Sequence, residues 1–212
     1  MSKSPRLKPI QIGPVCIDDP VILAPMSGVT DMPFRRMVKR AGAGLVVSEM
    51  IASVAMVREN RKTLLMAKNS PEEFPMAVQL AGCEPAVMAD AARLNEDRGA
   101  AIIDINMGCP VRKVTNGDAG SALMRVPELA AQLIEACVKA VKVPVTVKMR
   151  MGWCHDSLNA PELAHIAEDL GTKLVTVHGR TRNQMYRGEA DPGRVRDMLA
   201  AFFLPVLERQ AA

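Results

Sequence analysis

The sequence predicts an α/β fold with a parallel sheet. Apolar segments of strand length recur along the 212 residues, and most intervals between them contain a helix with recognisable ends. Repeated β-α units of this kind bring successive strands into one parallel sheet. The predicted strands span residues 21–26, 45–50, 76–80, 102–107, 143–149, 174–178 and 202–207.

Capping residues, prolines and glycines mark the ends of the predicted helices. After the first strand, Thr30 or Asp31 caps a helix that has Pro33 in its first turn and ends at Gly42. The inner face of this helix is predicted to consist of Phe34, Met37 and Val38. Later helices are predicted from Pro85 to Gly99, from Pro127 onwards, and between Pro161 and Gly171.

Polar residues at the ends of the predicted strands favour a closed barrel over an open sheet. These residues belong to five different strands, whereas the ligand crevice of an open sheet uses the ends of fewer strands. No G-x-G-x-x-G motif follows the first strand either. We therefore expect a TIM-type (β/α)8 barrel that is incomplete, because only seven strand-like segments are found. The strand-end residues are Ser48, Glu49, Gln79, Asn106, Lys148 and His178.

Two predicted strands repeat one pattern, Thr146-Val147-Lys148-Met149-Arg150 and Thr176-Val177-His178-Gly179-Arg180. Because side chains alternate along a strand, Lys148 and His178 are predicted to point into the barrel mouth. Arg150 and Arg180 follow one step further out, as candidate substrate contacts. A solvated sheet edge is the other explanation for a lysine in a strand, but helices are expected on both sides of these strands.

Charge and cysteine content indicate the class of protein. The formal net charge is +4, and basic residues gather near strand ends, as expected for a polyanion-binding face or for solvated helix faces. Five cysteines without a C-x-x-C pair indicate a reducing compartment and neither disulfides nor a metal site. No membrane span or secretory signal is found, so we expect a cytoplasmic protein. The basic residues include Arg35, Arg36, Lys39 and Arg40, then Arg58, Arg61 and Lys62, and finally Arg112, Lys113, Arg180, Arg182 and Arg187.

A cysteine follows the apolar strand at residues 102–107, in the segment Asn106-Met107-Gly108-Cys109-Pro110. Gly108 and Pro110 favour a turn that leaves the thiol of Cys109 at the strand's carboxyl end, where it can meet a ligand. A small buried apolar side chain is the alternative role for a free cysteine.

This segment, together with Lys113 and Gly117-Asp118-Ala119-Gly120-Ser121-Ala122-Leu123, resembles the active-site segment of the tRNA-dihydrouridine synthases. The resemblance covers roughly residues 18 to 195. Its other motifs are Ala24-Pro25-Met26, Thr30-Asp31-x-Pro33-Phe34-Arg35, Ser48-Glu49-Met50, Gln79-Leu80-x-Gly82, Val147-Lys148-Met149-Arg150 and His178-Gly179-Arg180-Thr181-Arg182-x-Gln184-x-Tyr186-x-Gly188.

The resemblance implies a TIM-barrel flavoenzyme in which FMN, reduced by NADPH or NADH, passes hydride to C6 of a uracil flipped out of tRNA. Cys109 then corresponds to the proton donor to C5. Asn106 resembles the residue that holds the uracil edge, and Arg180 and Arg182 resemble RNA contacts. The residues that resemble the flavin contacts are Pro25 and Met26 through their backbone, Gln79, Lys148 and His178.

Two other functions remain open from the sequence. The same barrel, flavin and cysteine serve dehydrogenases of free pyrimidines, such as dihydropyrimidine and dihydroorotate dehydrogenases. The chain could instead be an inactive barrel remnant that at most binds RNA. In the family the chain continues into an eighth strand and a C-terminal helical domain that binds tRNA, whereas residues 208–212 are a divergent tail here.

We therefore assign residues 1–207 to the N-terminal portion of the barrel and expect the rest to be absent. A barrel without its eighth strand leaves two sheet edges unpaired, which favours self-association. Poor FMN binding and little synthase activity are also expected of such a chain.

Overall fold

The computed structural model describes residues 8–198. A short antiparallel hairpin of β1 (Ile10–Ile12) and β2 (Val15–Ile17) comes first. A parallel sheet follows. Its strands are β3 (Ile22–Leu23), β4 (Leu45–Val47), β5 (Ile51–Ala52), β6 (Met76–Ala81), β7 (Ile102–Met107), β8 (Val145–Arg150) and β9 (Leu174–His178).

Helices connect most of these strands. They are α1 (Met32–Arg40), α2 (Ser53–Val57), α3 (Arg61–Ala67), α4 (Pro85–Asp97), α5 (Arg112–Thr115), α6 (Pro127–Ala140) and α7 (Ala160–Asp169), and residues 192–198 are also helical. The structure confirms the predicted starts, since Asp31 caps α1 by accepting a hydrogen bond from the Phe34 amide, and prolines occupy the first turns of α4, α6 and α7.

The strand order identifies the architecture. Neighbouring strands follow the order β3, β4, β6, β7, β8, β9, without the reversal that a doubly wound sheet requires. Every pair in this path is parallel, which confirms the predicted α/β fold of the TIM type, present here as a partial barrel. Within residues 8–198 the path ends at β3 and β9. The seventh predicted strand, residues 202–207, lies outside the described residues, and self-association through open edges stays a prediction.

Alternating side chains build two separate cores. Val78, Ile105 and Val147 belong to the larger core between the sheet and its helices. The opposite face of the same sheet contributes Leu45 and Ala77 to a smaller core inside the barrel. Ile12 and Ile17 of the hairpin are almost fully buried in that inner core, so the hairpin closes the barrel at the amino ends of its strands.

The first two strands are shorter than predicted. Only Ile22–Leu23 of residues 21–26 is a strand, and residues 45–50 supply only Leu45–Val47, while β5 pairs further along β6. Ser48 interrupts the ladder because its hydroxyl oxygen accepts the hydrogen bond from the backbone amide of Gln79, at 3.0 Å.

Helix α1 buries an ion pair rather than the predicted apolar side chain. Arg35 is 1% exposed, and its Nε donates to Oε1 of fully buried Glu73 at 2.6 Å. Met37 is 57% exposed, so its predicted place on the inner face is wrong. Because the guanidinium of Arg35 also donates to the carbonyls of Thr30 and Lys68, it is not available to a polyanion.

The neighbouring basic residues are also largely paired. Arg36 and Arg40 both form salt bridges with the one carboxylate of Glu72, so part of the charge expected on this helix is compensated locally. Among the described helices, none has the length and apolar character needed to cross a membrane.

Candidate active site

The carboxyl ends of the strands surround a cavity of about 470 Å³. Its walls come from the segment after β3, from β6, β7 and β8, and from the loops that follow β7 and β9. Eight of the predicted site residues line this cavity, so the barrel brings together side chains that lie up to 153 residues apart, from Pro25 to His178. They are Pro25, Met26, Gln79, Asn106, Cys109, Lys148, Arg150 and His178.

A continuous chain of hydrogen bonds crosses the floor of the cavity. The hydroxyl of Thr146 donates to Oδ1 of Asp104 at 2.5 Å, and the amide nitrogen of Gln79 donates to Oδ2 at 2.6 Å. The oxygen of the Gln79 amide accepts from Asn106 at 2.8 Å. Oδ1 of Asn106 accepts in turn from the backbone amide of Cys109 at 2.9 Å. The floor of the barrel is therefore connected directly to the turn that carries the thiol.

Asp104 was not among the predicted site residues, although the sequence contains a sign of its buried position. It interrupts the run Ile102-Ile103-Asp104-Ile105 and shares a strand face with Asn106. Burial raises the pKa of the Asp104 carboxyl, whereas hydrogen bonds from Thr146 and Gln79 and the charge of Lys148 oppose that shift. An acidic residue within an apolar strand is a buried polar group that requires partners, and here Gln79 and Thr146 supply them.

The turn of Cys109 is held on its other side by the 3₁₀ segment Gly120–Arg125. The carbonyl oxygen of Cys109 accepts from the hydroxyl of Ser121 at 2.8 Å and from the Ser121 amide at 3.0 Å. Gly120 has a φ of +61°, and a Cβ added there would lie 2.8 Å from the Cys109 carbonyl oxygen. The thiol is therefore attached to a backbone fixed from both directions, and Cys109 lines the cavity.

The other cysteines have different surroundings. Cys137 is buried in the larger core, where burial raises its pKa to about 12, and Cys16 is exposed on the hairpin. Cys83 and Cys154 are partly buried and do not line the cavity. Within residues 8–198 no group of three or more His, Cys, Asp or Glu side chains has the geometry to hold a metal ion.

Lys148 and His178 form a polar wall of the cavity, as predicted from their strand positions. Burial lowers the pKa of Lys148, and the carboxyl of Asp104 opposes this shift. The pKa of His178 falls to about 4, because of burial and the nearby charges of Arg150, Lys148 and Arg180. His178 is therefore neutral at pH 7, and its Nε2 lies 3.4 Å from Nη1 of Arg180, where it can accept a hydrogen bond.

Arg150 lines the cavity but is engaged with the protein backbone. The residue is 3% exposed, and its Nε donates to the carbonyl of Gly108 at 2.9 Å. Its Nη1 donates to the carbonyls of Thr181 and Met185 at 2.9 and 2.8 Å. This guanidinium ties the cysteine loop to the loop after β9, a structural role that the strand pattern did not predict.

The backbone of Met26 is also engaged locally. Its amide donates to the hydroxyl of Thr30 at 3.1 Å, and its carbonyl accepts from the amides of Val29 and Thr30, both at 3.0 Å. Thr30 is held by Arg35, which donates to its carbonyl at 2.9 Å. The buried ion pair of α1 therefore supports the segment that forms one side of the cavity.

The remaining two predicted site residues, Arg180 and Arg182, lie outside the cavity lining, on the loop after β9. Arg180 donates to the carbonyl of Gly188 at 2.8 Å, and Arg182 lies against the ring of Trp153. The same loop carries Tyr186, an exposed aromatic residue that lines the cavity and was not among the predicted site residues.

Comparison with known proteins identifies the family. The model of the dihydrouridine synthase (Dus) family matches residues 22–208. The chain belongs to the dihydrouridine synthase family. A probable tRNA-dihydrouridine synthase of Rickettsia bellii is 58% identical over 199 residues, which are 93% of this chain and 61% of that protein. The tRNA-dihydrouridine synthase B of Xanthomonas axonopodis pv. citri is 52% identical, over 93% of this chain and 60% of that protein.

This member of the dihydrouridine synthase family thus spans about three fifths of the length of these curated relatives. Among solved structures, histamine dehydrogenase from Rhizobium sp. 4-9 is similar with a TM-score of 0.54 at 13% identity. That likeness covers 78% of this chain and 36% of the dehydrogenase, and at this identity it concerns the fold alone.

Proposed function

We propose that this chain is the catalytic barrel portion of a cytoplasmic tRNA-dihydrouridine synthase, which reduces the C5=C6 bond of particular uridines in tRNA. The observation that carries this proposal is Cys109, which is held on a fixed turn and lines a cavity of about 470 Å³ at the carboxyl ends of the strands. Enzymes of this barrel type have their active sites at that end. Family membership supports the same reaction.

The proposed cofactor is FMN, reduced by NADPH or NADH, and the residues that line the cavity fit such a group. The volume is within the range of cofactor sites, and Lys148 supplies a partly buried cation suited to an electron-rich ring. Lys148, Gln79 and His178 are proposed to hold its polar edge, with Pro25 and Met26 beside it. When bound, the flavin supplies the hydride that the reaction requires.

Cys109 is proposed to give a proton to C5 of the uracil. A positioned thiol can act as a general acid in such a step. Reaching a uracil inside a folded tRNA requires the base to be flipped out, which costs least in a loop.

Asn106 is proposed to orient the uracil through one particular atom. Its Oδ1 already accepts from the amides of Gly108 and Cys109, and one hydrogen of its Nδ2 goes to Gln79. The second hydrogen of Nδ2 is then the donor proposed for a uracil carbonyl. Arg150 is proposed to contact the substrate beside Asn106 through its Nη2. Arg180 and Arg182 are proposed to contact RNA outside the cavity.

Substitution of Cys109 tests this proposal. In a form of the protein that makes dihydrouridine, Cys109→Ala should lower dihydrouridine formation by roughly 10²-fold or more, the scale of a positioned proton donor. Oxidation of NADPH by the bound flavin should stay near its original rate, because the thiol has no part in that step. Cys137→Ala is the matched control, since that thiol lies in the helix-facing core.

Each of the two alternative functions predicts a distinct result. Turnover of free uracil in preference to tRNA would favour a dehydrogenase of free pyrimidines. A chain that binds tRNA but neither binds FMN nor forms dihydrouridine would be the inactive remnant. Normal tRNA turnover by Cys109→Ala would contradict the assigned proton donor.

A further inference from the structure

Three loops at the barrel mouth meet outside the cavity, each following a different strand. The 3₁₀ segment after β7 supplies Arg125, the loop after β8 supplies Trp153, and the loop after β9 supplies Arg182. The guanidinium carbon of Arg125 lies 4.0 Å from the centroid of the indole ring, and that of Arg182 lies 4.5 Å from it. Two cations thus share one aromatic side chain.

We propose that Arg125, Trp153 and Arg182 form a phosphate-binding site for the RNA strand next to the flipped nucleotide. This inference rests on the proposed function and identifies a contact outside the cavity. Within the described part of the chain, neither arginine forms a salt bridge with an acidic residue, so no carboxylate neutralises either charge.

The chemistry of the cluster favours phosphate. The indole ring attracts each guanidinium through its π face, which offsets part of the repulsion between the two cations. Stacking on the ring leaves the edge of a guanidinium group for phosphate oxygens. Arg182 offers its Nη groups only, because its Nε is buried, and its Nη1 also donates to Oδ1 of Asn183 at 3.3 Å. Arg125 is exposed and Trp153 and Arg182 are partly exposed, so a strand of RNA can reach them.

Hydrogen bonds fix this cluster beside the cavity. The amide of Arg182 donates to the carbonyl of Gly152 at 2.9 Å, and the amide of Asn183 donates to that of Trp153 at 3.0 Å. Asn159 donates to the carbonyl of Met124 at 2.7 Å, which holds the residue before Arg125. Because Ser121 of the same 3₁₀ segment is bonded to Cys109, the cluster and the thiol belong to one framework.

The single tryptophan of the chain makes the site directly observable. On titration with tRNA, we expect the emission of Trp153 to change and to saturate at the same concentrations as the anisotropy of labelled tRNA. Arg125→Ala should weaken tRNA binding roughly threefold or more and reduce its dependence on salt by about one charge. Trp153→Ala should weaken binding similarly but leave the salt dependence unchanged, because both charges remain.

Arg93→Ala is the matched control, since it removes the same charge from the exposed face of α4. Thermal unfolding of each variant checks that the fold is intact. Binding by Arg125→Ala and Trp153→Ala that equals binding by Arg93→Ala would overturn the phosphate site and leave the proposed function standing. No tRNA binding by the original chain would overturn the phosphate site, while the assay of dihydrouridine formation tests the proposed function separately. A change in emission with polyglutamate but not with tRNA would overturn the assignment to RNA.

Discussion

The carboxylate of Asp104 accepts a hydrogen bond of 2.6 Å from the side-chain amide of Gln79 on the neighbouring strand. The bond fixes the orientation of that amide, because its nitrogen must face Asp104 and its oxygen must then face Asn106. Asn106 holds the backbone of Cys109 in turn. A buried acid of β7 thus sets the positions of two cavity-lining amides and of the turn that carries the thiol.

Substitutions of Asp104 separate its hydrogen bonds from its charge. Asp104→Ala leaves the donors of Gln79 and Thr146 without their acceptor, so the free energy of unfolding should fall by about 2 kcal/mol or more. Asp104→Asn keeps an acceptor for Gln79, and its amide can donate to Thr146, so it should lie within about 1 kcal/mol of the original chain. Urea unfolding at pH 7 measures the free energy of unfolding of both variants. Equal losses in Asp104→Ala and Asp104→Asn would contradict the role of Asp104 as a hydrogen-bond acceptor that positions Gln79.

The titration of His178 should be displaced far below that of an ordinary histidine. Burial first, and then the charges of Arg150, Lys148 and Arg180, lower its pKa from 6.5 to about 4. Between these two pH values the unfolded chain binds a proton that the folded chain does not, so the free energy of unfolding should decrease as pH falls from 6.5 toward 4. NMR of the imidazole protons gives the midpoint directly.

His178→Gln is the control for this pH dependence. It lacks the titrating ring, so its stability should decline less than that of the original chain over the same range. A midpoint near 6.5 for His178 would show that the surrounding cations and burial do not act as described.

The buried ion pair of α1 should contribute far more to stability than the surface ion pairs of the same helix. Arg35→Ala leaves Glu73 buried without its partner, which should cost about 3–5 kcal/mol. Glu72→Ala removes the partner of Arg36 and Arg40 at the surface, where solvent screens the charges, and should cost far less than Arg35→Ala. Urea unfolding of both variants tests this, and adding Glu73→Gln to Arg35→Ala should recover part of the loss. Similar costs for the two substitutions would contradict the burial of Arg35.

Gly120 should be required for the position of Cys109. In Gly120→Ala the added Cβ meets the Cys109 carbonyl at 2.8 Å in a backbone with positive φ, so the turn must shift. We expect a loss of about 1–3 kcal/mol in the free energy of unfolding and an altered rate of alkylation at Cys109.

Gly117→Ala is the matched control for Gly120→Ala. Its added Cβ is 3.6 Å from its nearest neighbour, the Val114 carbonyl, which is ordinary contact. Alkylation at Cys109 followed by mass spectrometry distinguishes the two variants. Equal rates in both would mean that Gly120 does not control the turn.

Much of the site was predictable because its signals are local. Period-two alternation predicts that Lys148 and His178 point into the barrel mouth. The Gly-Cys-Pro turn at the end of a strand predicts that Cys109 lies at the same mouth, and all three residues line the cavity. These properties depend on a few adjacent residues. The bounds of β7 and β9 agree with the sequence for the same reason, since apolar residues make up most of each segment.

Other features depended on partners distant in the chain. In the sequence, nothing near Arg35 distinguishes it from a surface arginine. The fold buries it against Glu73, 38 residues later in the chain, and Met37 of the same helix is exposed. Trp153 acquires its two arginines from loops after other strands. Local spacing determined which residues face the cavity, whereas only the tertiary structure decided which polar groups are satisfied inside it. Burial makes such pairing obligatory, and the partners come from separate strands.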